Sequence, residues 1–182
     1  IALSDNESEL ASVLAHEISH VTQRHLSRRM ESQKRNSPLT LAGLLGGILL
    51  AAVNPEAGMA AIMTTQASSL QSSINFTRSN EKEADRIGIK ILAIAGFDPH
   101  GAPAFFDKLS AKYRFTSTPP AFLMTHPLPE SRVADSKLRA QRYPRPPQRV
   151  SKDFQLVKSR VKARYELSGK AAIRHFEDQL KN

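Results

Sequence analysis

The chain has no cysteine, which removes disulfides and thiolate metal sites at the outset. It also lacks any run of the roughly 20 apolar residues that a membrane-spanning helix needs. The longest apolar stretch, Leu39–Val53, is fifteen residues with Thr40 its one polar member. No basic-then-apolar leader precedes the first helix, so the chain is either cytosolic or, as we expect, a trimmed piece of a longer protein. No alternating strand pattern is visible. A net charge of +9 and a pI near 10.1 invite a nucleic-acid reading. However, no helix-turn-helix, RNP or glycine-rich phosphate signature accompanies them, and we expect no nucleic-acid partner.

The charge is also uneven. Residues 1–131 hold 12 Lys+Arg against 12 Asp+Glu, whereas residues 132–182 hold 14 against 5. The whole excess is therefore C-terminal, suited to acidic partners, a membrane surface or a solvated face. At 182 residues the chain can bury one substantial core and part of a second unit.

The most informative stretch present is His16-Glu17-Ile18-Ser19-His20, an HExxH pattern. On a helix, residues four apart share a face, so the two imidazoles can reach one metal ion and Glu17 can reach its bound water. Such a site needs neutral nitrogen ligands, a carboxylate base and an open position. Chance produces the motif about once in a hundred chains of this composition, so it needs support from elsewhere in the sequence. A helix here is well signalled. Ser4-x-x-Glu7 and Asn6-x-x-Glu9 are capping-box spacings, and Leu10, Val13, Leu14, Ile18 and Val21 form an apolar stripe expected to face the core.

A third ligand is required. Gln23 and Leu26 stand where a metzincin extension needs Gly and His, so His25 is out of register and is expected on the surface. Ser79-Asn80-Glu81-Lys82-Glu83-Ala84-Asp85 offers a carboxylate instead, on a helix capped by Ser79 or Asn80 with Ile87, Ile91 and Ile94 as its apolar face. Glu81 can ligate while Asp85, one turn on, hydrogen-bonds a ligand histidine and fixes its tautomer. Glu83 lies on the other side of that helix and is the weaker candidate.

These motifs, followed by His126-Pro127 and Arg132, occur in one order: HExxH, ExxxD, HPxxxxR. In that order they resemble the gluzincin peptidases, specifically the group containing HtpX and the CAAX prenyl proteases. The wording around them is most similar to periplasmic members linked to β-barrel outer-membrane protein assembly. The resemblance is clear over residues 1–142. It implies one Zn2+ held by His16, His20 and Glu81, and His126 near it as oxyanion donor or fourth ligand. Glu17 would be the general base. The fold would be mainly α: a zincin-like metallopeptidase helical domain, its usual N-terminal sheet absent from this chain. Misfolded or misassembled outer-membrane proteins and their assembly machinery are the implied partners, and the periplasm the implied location. The lack of cysteine fits that location without demonstrating it. Arg132 is expected to anchor the His126 turn by pairing with a carboxylate, with a plain surface charge as the alternative. A chaperone-like helical module with an inactive metal site is the alternative function.

The remaining segments complete the expected layout. Leu39–Val53 and Met59–Met63, separated by Asn54–Gly58, read as two small-residue helices covering the core. They also suit a mobile lid, or an interfacial contact with membrane or unfolded substrate through 39–63. Gly96 ends the second motif helix, Asp98-Pro99 starts a third running to Tyr113, and Phe115–Met124 reads as loop. Pro129 suits the first turn of the helix that carries Arg132. Residues 143–150 form a proline-rich linker. Residues 151–182 read as a helical hairpin turning at Ser168-Gly169, similar to the start of a TPR array.

Overall fold

The HExxH helix begins where the capping signal lies, but with one partner changed. Glu9 N–H donates to Asn6 Oδ1 (3.0 Å), and the Glu9 carboxylate accepts from the Asp5 amide (2.8 Å) and the Asn6 side-chain amide (3.3 Å) rather than from the Asn6 backbone. This opens α1, Glu7–Thr22, in a computed structural model that describes residues 1–116, 121–147 and 151–180. α1 ends without glycine or proline. Arg24 takes a left-handed conformation (φ 55°, ψ 38°), and α2, His25–Ala51, starts directly after it.

α2 carries Pro38 in its interior, where the ring removes one helical N–H donor. The helix nonetheless continues, with Ser37 and Thr40 hydroxyls donating to the Gln33 and Asn36 carbonyls (2.8 and 3.2 Å). The helix breaks at residues 52–54, earlier than the expected Asn54–Gly58; Pro55–Gly58 already belong to the next helix, whose start the Asn54 side chain marks by accepting from Ala57 N–H (3.1 Å). That helix, α3, runs unbroken through Pro55–Ile94. Ser79 and Asn80 are thus mid-helix, not caps. No glycine or proline interrupts residues 59–87, so nothing in the backbone forces a new start there.

At the far end Gly96 (φ 76°) closes α3, and Phe97 N–H donates back to the Leu92 carbonyl (3.0 Å). Asp98 accepts from the His100 amide (2.9 Å) before α4, Gly101–Tyr113. Part of the expected 115–124 loop is a short helix, α5, Ala121–Thr125; residues 117–120 lie outside the described ones. Pro129, extended, precedes α6, Glu130–Ala140. The linker is irregular as far as Pro147, and its last three residues lie outside the description. Ser151 caps α7, Lys152–Val161 (3.1 Å to Phe154 N–H), a π-turn covers Lys162–Glu166, and α8 spans Gly169–Leu180. Among the described residues there is no strand, and the fold is mainly α.

By contact the chain divides into two units. One holds Ile1–His16 and the described residues from Arg86 onward; the other is Glu17–Asp85. In the first, Ala15, Ile89, Leu92 and Ala102 form one apolar cluster, and Phe105, Phe106 and Leu109 a second, joined by Leu3, Val13 and Val133. In the second, α2 and the start of α3 meet along a seam of small residues, Gly43 against Thr65, Gly47 against Ile62 and Ala51 against Gly58.

The buried face of α1 differs from the expected stripe. Glu9, Ser12, Ala15, His16 and Ser19 are buried, while Leu14, Ile18 and Val21 are exposed, Val21 at 76%. Small and hydrogen-bonded side chains face inward because the helix packed there comes too close for leucine. Likewise α3 buries Asn80, Glu81, Ala84, Asp85, Ile89 and Leu92 and exposes Ile94. The 39–63 segment is also mostly exposed rather than a buried cover.

A buried carboxylate secures the N-terminus. Lys108 on α4 donates to both Glu9 oxygens (2.7 and 2.6 Å) and to Asp5. The Lys108 hydrogen bond lowers the Asp5 pKa. Burial alone would lower that of Lys108, but its bonds to Asp5 and Glu9 outweigh this and raise it. A depressed carboxylate contributes stability above its unfolded pKa and loses it as pH falls; a raised ammonium contributes below its unfolded pKa and loses it as pH rises. Lys108→Met is expected to lower the thermal midpoint at neutral pH by about 2–4 °C, since it leaves Glu9 buried without its cation. The gap from wild type should be flat across the neutral range and narrow below the ordinary Asp range and above the ordinary Lys value. A melting series over pH checks this.

Candidate metal centre

The site is set by one close contact between two helices. A Cβ on Gly88 of α3 would lie 3.2 Å from the His16 amide and 3.3 Å from the Ala15 carbonyl carbon, so glycine lets the two backbones approach. Glu81 lies about two turns before Gly88 on the same helix, and His20 one turn beyond His16 on α1.

The ligand candidates meet in pairs. His20 Nε2 is 3.3 Å from Glu81 Oε1. His16 Nε2 is 3.4 Å from His126 Nδ1, the rings meeting edge-on at 77°. Tetrahedral ligands at about 2.0–2.1 Å from zinc stand about 3.3 Å apart, so both spacings match the edge of such a polyhedron. Two neutral imidazoles facing through ring nitrogens at that distance can share a proton, or turn both lone pairs onto one cation. His16, His20, Glu81 and His126 make a group able to hold a metal ion, and the donor set fits one. Two nitrogens from one helix, a third nitrogen and a carboxylate are borderline ligands suited to zinc.

The supporting residues fall as follows. Glu81 is 3% exposed, and Asp85, one turn further along the same face, is also buried. Glu17 is exposed beside His16. His126 follows α5, stacked on Phe122 (5.0 Å between centroids), and its amide donates to the Phe122 carbonyl (2.8 Å). Arg132 is buried, not a surface charge. Its guanidinium donates to the Pro127 carbonyl (2.6 Å) and lies over the Phe106 ring (5.3 Å), so it anchors the His126–Pro127 turn through the backbone.

One expectation is overturned. His25 is not a surface residue; it is 4% exposed, and its Nδ1 lies 2.8 Å from Nδ1 of His20. Its Nε2 lies 3.2 Å from Glu83, which also accepts from Arg28 (2.8 Å). The Arg28 hydrogen bond lowers the Glu83 pKa against the opposing effect of burial, with His25 adding to the lowering. Glu83 thus stands outside the ligand group, as its place on the far side of α3 implied, but it is occupied. The sequence concealed this because the turn that returns His25 toward His20 rests on Arg24, a residue type that carries no turn signal.

Fold and site together define the class: a helical chain with an HExxH motif whose histidines join a group able to hold a metal ion. More particularly, the chain belongs to peptidase family M48, whose description matches residues 1–140. It is 57% identical over 162 residues to the putative beta-barrel assembly-enhancing protease of Vibrio cholerae serotype O1, covering 89% of this chain and 34% of that protein. It is 56% identical over the same length to the beta-barrel assembly-enhancing protease of Escherichia coli strain K12 (89% and 33%). Mitochondrial metalloendopeptidase OMA1 of Arabidopsis thaliana is 32% identical over 136 residues, 75% of this chain and 24% of that protein. The chain thus spans about a third of the length of the bacterial relatives it matches.

The Gly88 contact yields a direct test. Gly88→Leu should force α1 and α3 apart, costing about 1–3 kcal/mol of stability. Metal affinity, measured by competition with a chromogenic chelator, should fall with it.

Proposed function

We propose that this chain carries the reactive part of a zinc-dependent endopeptidase. His16, His20 and Glu81 hold the metal, with His126 as a fourth ligand that closes the site at rest. The matched 3.3 and 3.4 Å spacings of the two ligand pairs carry this reading. The metal, when bound, supplies Lewis acidity that polarises the scissile carbonyl and acidifies water. Glu17 takes the proton from the attacking water and passes it to the leaving amine. Asp85 fixes the ligand set from the buried face of α3, and Arg132 holds the turn on which His126 must move to admit substrate.

The beta-barrel assembly role that the bacterial relatives' names state supports a place in the periplasm of a Gram-negative bacterium. There the enzyme would cleave misfolded or misassembled outer-membrane proteins beside their assembly machinery. Residues 151–182, with Phe154 and Ala172 buried, would begin a TPR-type array. Glu17→Gln should retain metal and fold while cleavage of an unfolded polypeptide drops at least a hundredfold; substantial residual cleavage would rule out the base assignment. His126→Ala should cleave faster than wild type. Cleavage lost with metal retained would assign His126 to the oxyanion instead.

The hairpin of α2 and α3 supports a further contact, with a lipid surface. No helix among the described residues is long and apolar enough to cross a membrane. Yet Leu41, Leu45, Ile48, Leu49, Val53, Met59 and Met63 are exposed around it, Leu49 at 72%. Between residues 36 and 77 only Glu56 is charged, whereas exposed Arg28, Arg29, Lys34 and Arg35 precede the apolar part. An apolar tip with a basic collar is the pattern of interfacial insertion into anionic bilayers. Sedimentation with phosphatidylglycerol vesicles should capture the wild type, and Leu45→Glu with Leu49→Glu should release it. Equal capture of both would exclude the tip as the contact.

A further inference from the structure

We infer that His25 is a positioning residue for the metal centre: with Glu83 and Arg28 behind it, it dictates which nitrogen of His20 is free to ligate. The inference rests on His20 being a metal ligand, and it follows from the hydrogen-bonding capacity of each group. Nδ1 of His25 and Nδ1 of His20 lie 2.8 Å apart, with the rings edge-on at 81°, so a single proton is shared between them. On the opposite side, His25 Nε2 lies 3.2 Å from Glu83 Oε2. An ionised carboxylate can only accept, so the proton of that bond belongs to His25 Nε2. A neutral imidazole carries one proton. His25 Nδ1 is then an acceptor, and the shared proton must sit on His20 Nδ1. This leaves the lone pair of His20 on Nε2, the nitrogen that faces Glu81 at 3.3 Å. Arg28 donates to the same Glu83 oxygen (2.8 Å) and holds the carboxylate in place.

The chain of three residues, His25, Glu83 and Arg28, therefore fixes both tautomer and ring orientation of His20. Without it, His20 can place its proton on Nε2, the form that cannot bind a metal through that atom. Burial of His25 makes the arrangement rigid, since the imidazole has no water to exchange with. The chain reversal at Arg24 makes it possible. On a continued straight helix a residue five beyond His20 would point elsewhere.

The test compares His25→Ala, His25→Gln and Glu83→Ala with wild type. Zn2+ affinity is read by chelator competition, the Co2+ form by its visible absorption, and folding by circular dichroism. His25→Ala and Glu83→Ala are expected to bind metal about 10- to 100-fold more weakly with the helical signal intact, and with altered Co2+ bands. His25→Gln should recover most of the affinity, because its amide oxygen can accept from His20 and its NH2 can donate to Glu83. Alanine variants that bind as tightly as wild type would overturn the inference. So would a glutamine variant as weak as alanine at equal fold. Should His25→Ala fail to fold, Glu83→Ala, at a half-exposed position, decides alone. A wild type that takes up no metal removes the metal-centre reading and this inference with it, whereas a binding wild type with unaffected variants removes only the relay.

Discussion

The contact of Gly88 with the backbone of Ala15 and His16 is the constraint from which the site follows. Helices normally stand 8–10 Å apart according to the side chains between them, and removing those side chains is the way to bring them closer. Close approach then leaves no room for bulky apolar groups on the facing stripes. Serine, alanine, glutamate and histidine occupy them instead, and Leu14, Ile18 and Val21 of α1 turn outward. A metal centre needs polar side chains of fixed length meeting across a narrow gap, and a small-residue helix pair provides that gap.

Polar groups brought inside must then be satisfied, because an unmet buried donor or acceptor costs about 1–3 kcal/mol. The structure meets this need with chains rather than isolated pairs. Glu9 closes the cap of α1 and receives Lys108, which also reaches Asp5. Glu83 receives both His25 and Arg28, and His25 passes the arrangement on to His20. Arg132 donates to a backbone carbonyl and lies over the face of Phe106, fixing the turn after His126. The last two of these begin beside His20 and His126, so the candidate centre is held from more than one direction.

The apolar residues left outside are the other consequence. Exposed Leu14, Ile18 and Val21 on α1, and the apolar tip of the α2–α3 hairpin, are larger apolar surfaces than an isolated soluble helix ordinarily shows. In the tip they coincide with a stretch, residues 36–77, in which Glu56 is the one charged side chain, and with a cluster of cations before it.

Much of this was legible in the sequence. His16 and His20 share a face because the helical period is 3.6 residues. The Asn6–Glu9 cap, the Gly96 stop and the Asp98 start follow from local hydrogen-bonding chemistry, which needs no tertiary partner. Periodicity failed where the partner, not the helix, chose the buried face: the greasiest stripe of α1 is not the one that α3 covers. It failed again at Ser79-Asn80, where a residue pair able to cap simply continues a helix that packing had already committed. Local chemistry, repeated every few residues, determined where the helices lie and which side chains can ligate. Which faces meet, and that His25 turns back onto His20 through a left-handed arginine, depended on contacts between residues distant in the chain, whose free energies no short window of sequence contains.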